Sequence, residues 1–121
     1  MKNALSRVGR HPLGRVALAL IAGAACGASA IYAAAASPAS NVDIAKFAFA
    51  PKEITIAPGT RVVWTNRDDT PHSVASNDKT FSSKGLDTGD TFDHVFANEG
   101  DFNYICTVHP FMTGVVHVRK R

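Results

Sequence analysis

A β-sandwich with Greek-key connections is the fold class this sequence predicts, and three observations predict it. Short runs of β-branched and aromatic residues alternate with a period of two, turn residues separate them at near-regular spacing, and no stretch beyond residue 36 carries a convincing helical pattern. The expected molecule is all-β, with an apolar segment ahead of the folded domain.

That segment comes first in the chain. Lys2, Arg7, Arg10 and Arg15 precede residues 16–36, an uncharged run rich in Ala and Leu, and Ser-Pro-Ala-Ser follows. A basic start, an apolar middle and small residues at the end make an export signal over residues 1–36. Cleavage sites exist at Ala28-Ser29-Ala30 and within residues 33–36, the second preferred because it leaves a short polar lead-in. The run is also long enough to span a bilayer, so an uncleaved anchor is the alternative, though Ala and Gly make a poor one. Cys26 is read as incidental, because Gly23 stands where a lipid-attachment site would carry a bulky aliphatic residue.

Residues 37–41 read as a flexible lead-in, and the domain as residues 42–121. Val42, Ile44, Phe47 and Phe49 alternate as strands with one buried face do, until Pro51 interrupts. Ile54-Thr55-Ile56 and Arg61-Val62-Val63-Trp64-Thr65 are β-branched and aromatic, and Ala57-Pro58-Gly59-Thr60 between them places Pro before Gly in a turn. Residues 66–71 form a polar loop, and His72-Ser73-Val74 follows where the chain changes direction. Residues 77–90 hold Gly85, Gly89 and scattered charges, with Phe81 and Leu86 the apolar exceptions, and read as irregular. Alternation resumes over residues 91–96, and Asn98-Glu99-Gly100-Asp101 is a turn. Residues 102–106 are then a strand with Phe102, Tyr104 and Cys106 on one face. Two aromatics mark that as the core face, so the thiol enters the interior at the strand's end. Residues 115–118 close the chain as the final strand.

Charge excludes one class of function. The chain carries a formal +3, yet four of its 13 basic residues lie in the signal and all 10 acidic residues lie beyond it, which leaves the domain at −1. A nucleic-acid binder needs a basic face on the folded domain, and this domain has no excess of basic residues to make one. Cysteine usage is more telling. With the signal removed Cys106 is the only thiol, so an exported domain has no disulfide. Free thiols oxidise outside the cytoplasm, and a metal bond protects them. At about 85 residues the core is near the lower limit for independent folding, so a bound ion joining separate segments adds stability.

The chemistry is concentrated in Cys106-Thr107-Val108-His109-Pro110-Phe111-Met112, with His72 upstream after Pro71. Two residues between Cys106 and His109, and two more between His109 and Met112, let one tight loop present three donors, while His72 pins the loop to another strand. A thiolate and two imidazoles in a trigonal plane, with a weak axial thioether, suit a copper ion cycling between two oxidation states. The expected metal ligands are His72, Cys106, His109 and Met112. Zinc is the natural rival for Cys and His, but a thioether is a poor zinc ligand and structural zinc sites take four strong donors. Ser73 and Thr107, each next to an expected ligand, are placed to hydrogen-bond across the strands and orient them.

These residues resemble the cupredoxins over residues 42–118, and the ligand loop is most similar to that of amicyanin within the plastocyanin, pseudoazurin and amicyanin group. The matching positions include Phe47-Ala48-Phe49-Ala50-Pro51, Ile54-Thr55-Ile56, Pro58-Gly59-Thr60, Val62-Val63-Trp64-Thr65-Asn66, Pro71-His72, Gly100 and Tyr104. The resemblance implies one type 1 copper in a β-sandwich, single-electron transfer in the periplasm, and His109 as the electron's exit. Two positions depart from the pattern. Ser73 stands where Asn usually follows the first histidine. Val108 replaces the amicyanin proline, and its backbone N–H is expected to donate toward the Cys106 sulfur and raise the potential relative to Val108→Pro.

The expected function is a monomeric periplasmic blue copper carrier, and no enzyme, since protein donors fill all four positions and leave no open site for a substrate. Its expected partners are redox proteins such as a cytochrome c or a periplasmic dehydrogenase, docking near His109, Pro110 and Phe111 with Pro71 in the same apolar patch. A copper-trafficking module that never turns over electrons is the alternative, and an interaction domain in which Cys106 merely packs is the second. His94 shares its face with Phe92 and Phe96 and reads as a packing residue, and His117 as a strand surface residue. Asp68-Asp69, Lys79 and Lys84 read as solvated loop charges.

Overall fold

The computed structural model describes residues 38–121, together with the isolated Gly23 and Gly27. The export signal, its cleavage sites and Cys26 lie outside the described residues. Eight strands form: β1 (Ala39–Ala45), β2 (Ala48–Ala50), β3 (Glu53–Ile56), β4 (Thr60–Asn66), β5 (Ala75–Ser76), β6 (Thr91–Phe96), β7 (Gly100–Ile105) and β8 (Thr113–Val118). No helix forms among the described residues. The strands make two four-stranded sheets, ordered β2-β1-β4-β6 and β3-β8-β7-β5. This is the expected β-sandwich.

Alternation decides which side chains enter the space between the sheets. Val42 and Ile44 on β1, Val62 and Trp64 on β4, Tyr104 on β7 and Val116 and Val118 on β8 are all at most 1% exposed. Trp64 on one sheet meets Tyr104 on the other edge-to-face at 5.4 Å, with Phe81 and Phe92 each 5.7 Å away. Gly114 on β8 lies beneath that tyrosine, where a Cβ would come within 2.3 Å of Tyr104 Cζ. The close approach of ring to backbone requires glycine there.

The structure departs from the sequence reading at residues 39–41 and at Phe47, and it shows how the irregular stretch 77–90 is held. Strand β1 begins at Ala39, so residues 39–41 of the expected lead-in pair in parallel with residues 61–63. Backbone pairing to β4 needs no apolar side chain, which is why composition does not reveal it. Phe47 is 43% exposed, whereas Phe49 is 3% exposed. Lys46 and Phe47 are the two-residue loop between β1 and β2, with φ of 53° and 56°, and the turn breaks the alternation that the sequence suggested. The stretch 77–90 contributes Phe81 and Leu86 to the core, each 5% exposed. Hydrogen bonds to Ser76, Val74 and His72 hold it in place of a regular element.

Candidate metal centre

Three segments converge at one end of the sandwich, each held by a different device. Where β4 ends, the buried Asn66 side chain donates to the Thr70 and Leu86 carbonyls and accepts the Asp68 N–H, which shapes loop 66–72 from inside. His72, fully buried, is then fixed by a reciprocal backbone pair with Leu86, at 3.1 and 2.7 Å. Strand β7 delivers Cys106 to the interior one residue past its end. The loop beyond closes on itself, since Cys106 N–H donates to the Met112 carbonyl at 3.1 Å and Met112 N–H to the His109 carbonyl at 2.9 Å.

His72 Nδ1, His109 Nδ1 and Cys106 Sγ face one another as a triangle with sides of 3.2, 3.8 and 3.8 Å. Among the described residues these three side chains form the group able to hold a metal. At these separations the three donors can share one ion at ordinary imidazole and thiolate bond lengths of about 2.0 and about 2.3 Å. Two imidazoles with a soft thiolate form a donor set that suits copper. Met112 is 2% exposed at the end of the same loop and carries the candidate fourth donor.

The electrostatics favour a cation at the centre of the triangle. His72 Nε2 lies 2.8 Å from Asp68 Oδ2. A carboxylate only accepts, so the proton sits on Nε2 and the Nδ1 lone pair faces the triangle. Burial pushes the Cys106 thiol up, but the N–H groups of Ser73 and His109 and the two imidazoles outweigh it and bring the pKa down to about 6. The thiolate thus forms near neutrality, ready to bind a cation held between it and the two imidazoles. A cysteine that merely packs would show the opposite shift.

The hydrogen-bond pattern around the sulfur confirms one expectation and corrects another. Ser73 Oγ lies 2.6 Å from Thr107 Oγ1 and accepts the Thr107 N–H at 2.8 Å, tying the segment of His72 to that of Cys106 as the sequence suggested. The N–H that reaches the sulfur is that of Ser73, at 3.3 Å, where Val108 was expected, and the His109 amide helps to lower the thiol's pKa.

Sequence reasoning missed two residues here. Asp68, read as a solvated charge, is buried but for 15% of its side chain and accepts from Lys46 N–H at 2.7 Å and Phe47 N–H at 2.9 Å as well as from His72. Its spacing of four residues from His72 was the available signal. Phe47, read as a core residue, sets its ring edge-to-face against His72 and His109 at 5.2 and 5.1 Å. The other histidines behave as expected. His94 packs on Phe81 and Phe96 at 4.9 and 4.8 Å, where burial lowers its pKa, and half-buried His117 pairs with Asp101 at 2.6 Å.

Comparison with known proteins agrees with this chemistry. The chain matches the copper binding proteins of the plastocyanin/azurin family over residues 36–119. It is 37% identical to Amicyanin-alpha of Methylorubrum extorquens over 83% of this chain and 90% of that one. To amicyanin of Paracoccus versutus it is 34% identical, over 71% and 70%. Among solved structures, a purple cupredoxin from Nitrosopumilus maritimus superposes with a TM-score of 0.63 at 35% identity, covering 66% of this chain and 99% of that one. A copper(I) form of an amicyanin variant superposes with a TM-score of 0.65 at 31% identity, over 69% and 85%. A donor triangle of cysteine and two histidines at the end of a β-sandwich, and a match across nearly the whole domain, place this chain in the plastocyanin/azurin family of copper-binding proteins.

Proposed function

We propose that this protein is a type 1 copper carrier that shuttles single electrons between redox proteins in the periplasm, with His72, Cys106, His109 and Met112 as its ligands. The tight triangle of His72, Cys106 and His109 donor atoms, with sides of 3.2, 3.8 and 3.8 Å, carries the reading. Bound copper supplies a one-electron couple, and a fixed geometry between the preferences of its two oxidation states lowers the rearrangement that transfer requires. The protein's own residues do the rest. Asp68 holds the His72 tautomer, Ser73 ties the two ligand segments together, and the amide of Ser73 steadies the thiolate.

His109 is only half-buried, beside exposed Pro110, Phe111 and Val108, the last two 72% and 56% exposed. That apolar rim, with Pro71, is where a partner such as a cytochrome c or a dehydrogenase docks, and His109 is the exit for the electron. All donors come from one chain, so a monomer is sufficient. The apolar segment of residues 16–36 delivers the protein to the periplasm.

One optical and paramagnetic-resonance spectrum of the copper-loaded protein, with a voltammogram, tests the reading. An intense thiolate-to-copper band in the visible and a reversible midpoint potential are expected, with the band lost in Cys106→Ser. Weak colour with ready metal exchange would make the protein a copper-trafficking module, and absence of bound metal would make Cys106 a packing residue.

A further inference from the structure

The loop between β1 and β2 is strained in an uncommon way. Two-residue hairpin loops with positive φ at both positions favour Asn and Gly, because a Cβ makes that region costly. Here Lys46 and Phe47 occupy it, with φ of 53° and 56°. The Asp68 carboxylate accepts from both of their N–H groups and so holds the turn in shape. A bulky aromatic kept in such a conformation points to a role for its ring.

The ring is where the two candidate imidazoles meet. It packs edge-to-face on His72, at 5.2 Å and 88°, and on His109, at 5.1 Å and 80°, an arrangement that aromatic quadrupoles favour. His72 is fully buried, so the inner half of the Phe47 ring serves the site and only its outer half is open to solvent. Phe47 also lines a groove of about 170 Å³ shared with Phe49, Lys52, Phe111 and Met112.

We infer that Phe47 is a positioning residue of the metal centre: its ring clamps both imidazoles at their mutual distance and shields the ion from small ligands in solution. The inference rests on the ligand set proposed above. Asp68 couples the clamp to the site, because one carboxylate holds both the turn that presents the ring and the His72 tautomer.

Phe47→Asn tests it, since Asn suits the positive φ of the turn and removes the ring, and Phe47→Tyr restores an aromatic edge. Azide is titrated into each copper(II)-loaded protein and followed by visible and paramagnetic-resonance spectra. The imidazole lines of the metal-free proteins are read by NMR. Removing the ring frees both imidazoles, so Phe47→Asn is expected to bind azide at least about tenfold more tightly than the parent and to broaden both imidazole signals, while Phe47→Tyr matches the parent. A folded Phe47→Asn with parental azide response and parental imidazole line shapes would overturn the inference, even if its reaction with a protein partner slowed, which would make the ring a docking residue. A parent protein that never develops the thiolate-to-copper band would instead defeat the ligand set.

Discussion

Asp68→Ala should damage both the fold and the metal centre, by an amount that the structure sets. The carboxylate accepts three hydrogen bonds, from Lys46 N–H, Phe47 N–H and His72 Nε2. The two turn amides are exposed and water replaces the carboxylate there, so each is worth about 0.5–1 kcal/mol. The His72 N–H is fully buried, and leaving it without an acceptor costs about 1–3 kcal/mol. The sum is about 3 kcal/mol, or about 15 °C in melting temperature for a domain of this size. Copper affinity should fall by about 10- to 100-fold, as when other groups that orient a metal-bound histidine are removed. Hydrogen bonds from Phe47 N–H foremost, then from Lys46 and His72, hold the Asp68 carboxyl below its ordinary value. A depressed carboxyl contributes stability above its unfolded pKa, near 3.9, and loses it as pH falls through the folded value. The difference between parent and variant should therefore be full at pH 7 and shrink in acid below about pH 4. Urea unfolding of the metal-free proteins at several pH values measures it. A difference under about 1 kcal/mol at pH 7, with unchanged copper affinity, would refute the assigned role.

The remaining expectations are as sharp. Gly114→Ala forces a Cβ to within 2.3 Å of Tyr104 Cζ. It should destabilise the metal-free protein by about 1–3 kcal/mol in denaturant unfolding, and no loss would mean that Tyr104 has room to move. Ser73→Ala and Thr107→Ala break the link between the ligand segments. Each should lower copper affinity and shift the midpoint potential, and unchanged values for both would remove these residues from the site. Cys106 thiolate absorbance in the metal-free protein should titrate near pH 6, below the ordinary thiol range, against burial and through the amides and imidazoles around it. A thiol with a depressed pKa adds stability that is complete above its unfolded value of about 8.5 and fades as pH falls through about 6. The stability gap to Cys106→Ser should widen between those two values, and a thiolate midpoint above pH 8 would contradict the assignment.

How much of this was legible depended on whether a residue's role is local. The faces of β4 and β7 follow from alternation alone, and so does the entry of Cys106 into the core after Phe102 and Tyr104. The seven-residue loop from Cys106 to Met112 announces its donors by spacing, because one turn of chain must bring them together. Parallel pairing of β1 with β4 and of β3 with β8 left no such trace, since it joins segments through backbone groups that every residue carries. Asp68 was legible only through its spacing from His72, since its other partners are the amides of Lys46 and Phe47, more than 20 positions earlier. Phe47 satisfied the alternation and still misled, because the turn that expels it is held by that distant carboxylate.

The buried histidine lies on the crossover from β4, on one sheet, to β5, on the other, and the thiol arrives on β7 beside β5. An ion gripped by both therefore pins the crossover that joins the two layers. Opening the sandwich at that end means letting the ion go, so metal-loaded molecules should unravel first from the pole where β8 finishes. A protease or an exchanging deuteron would find its entrance there.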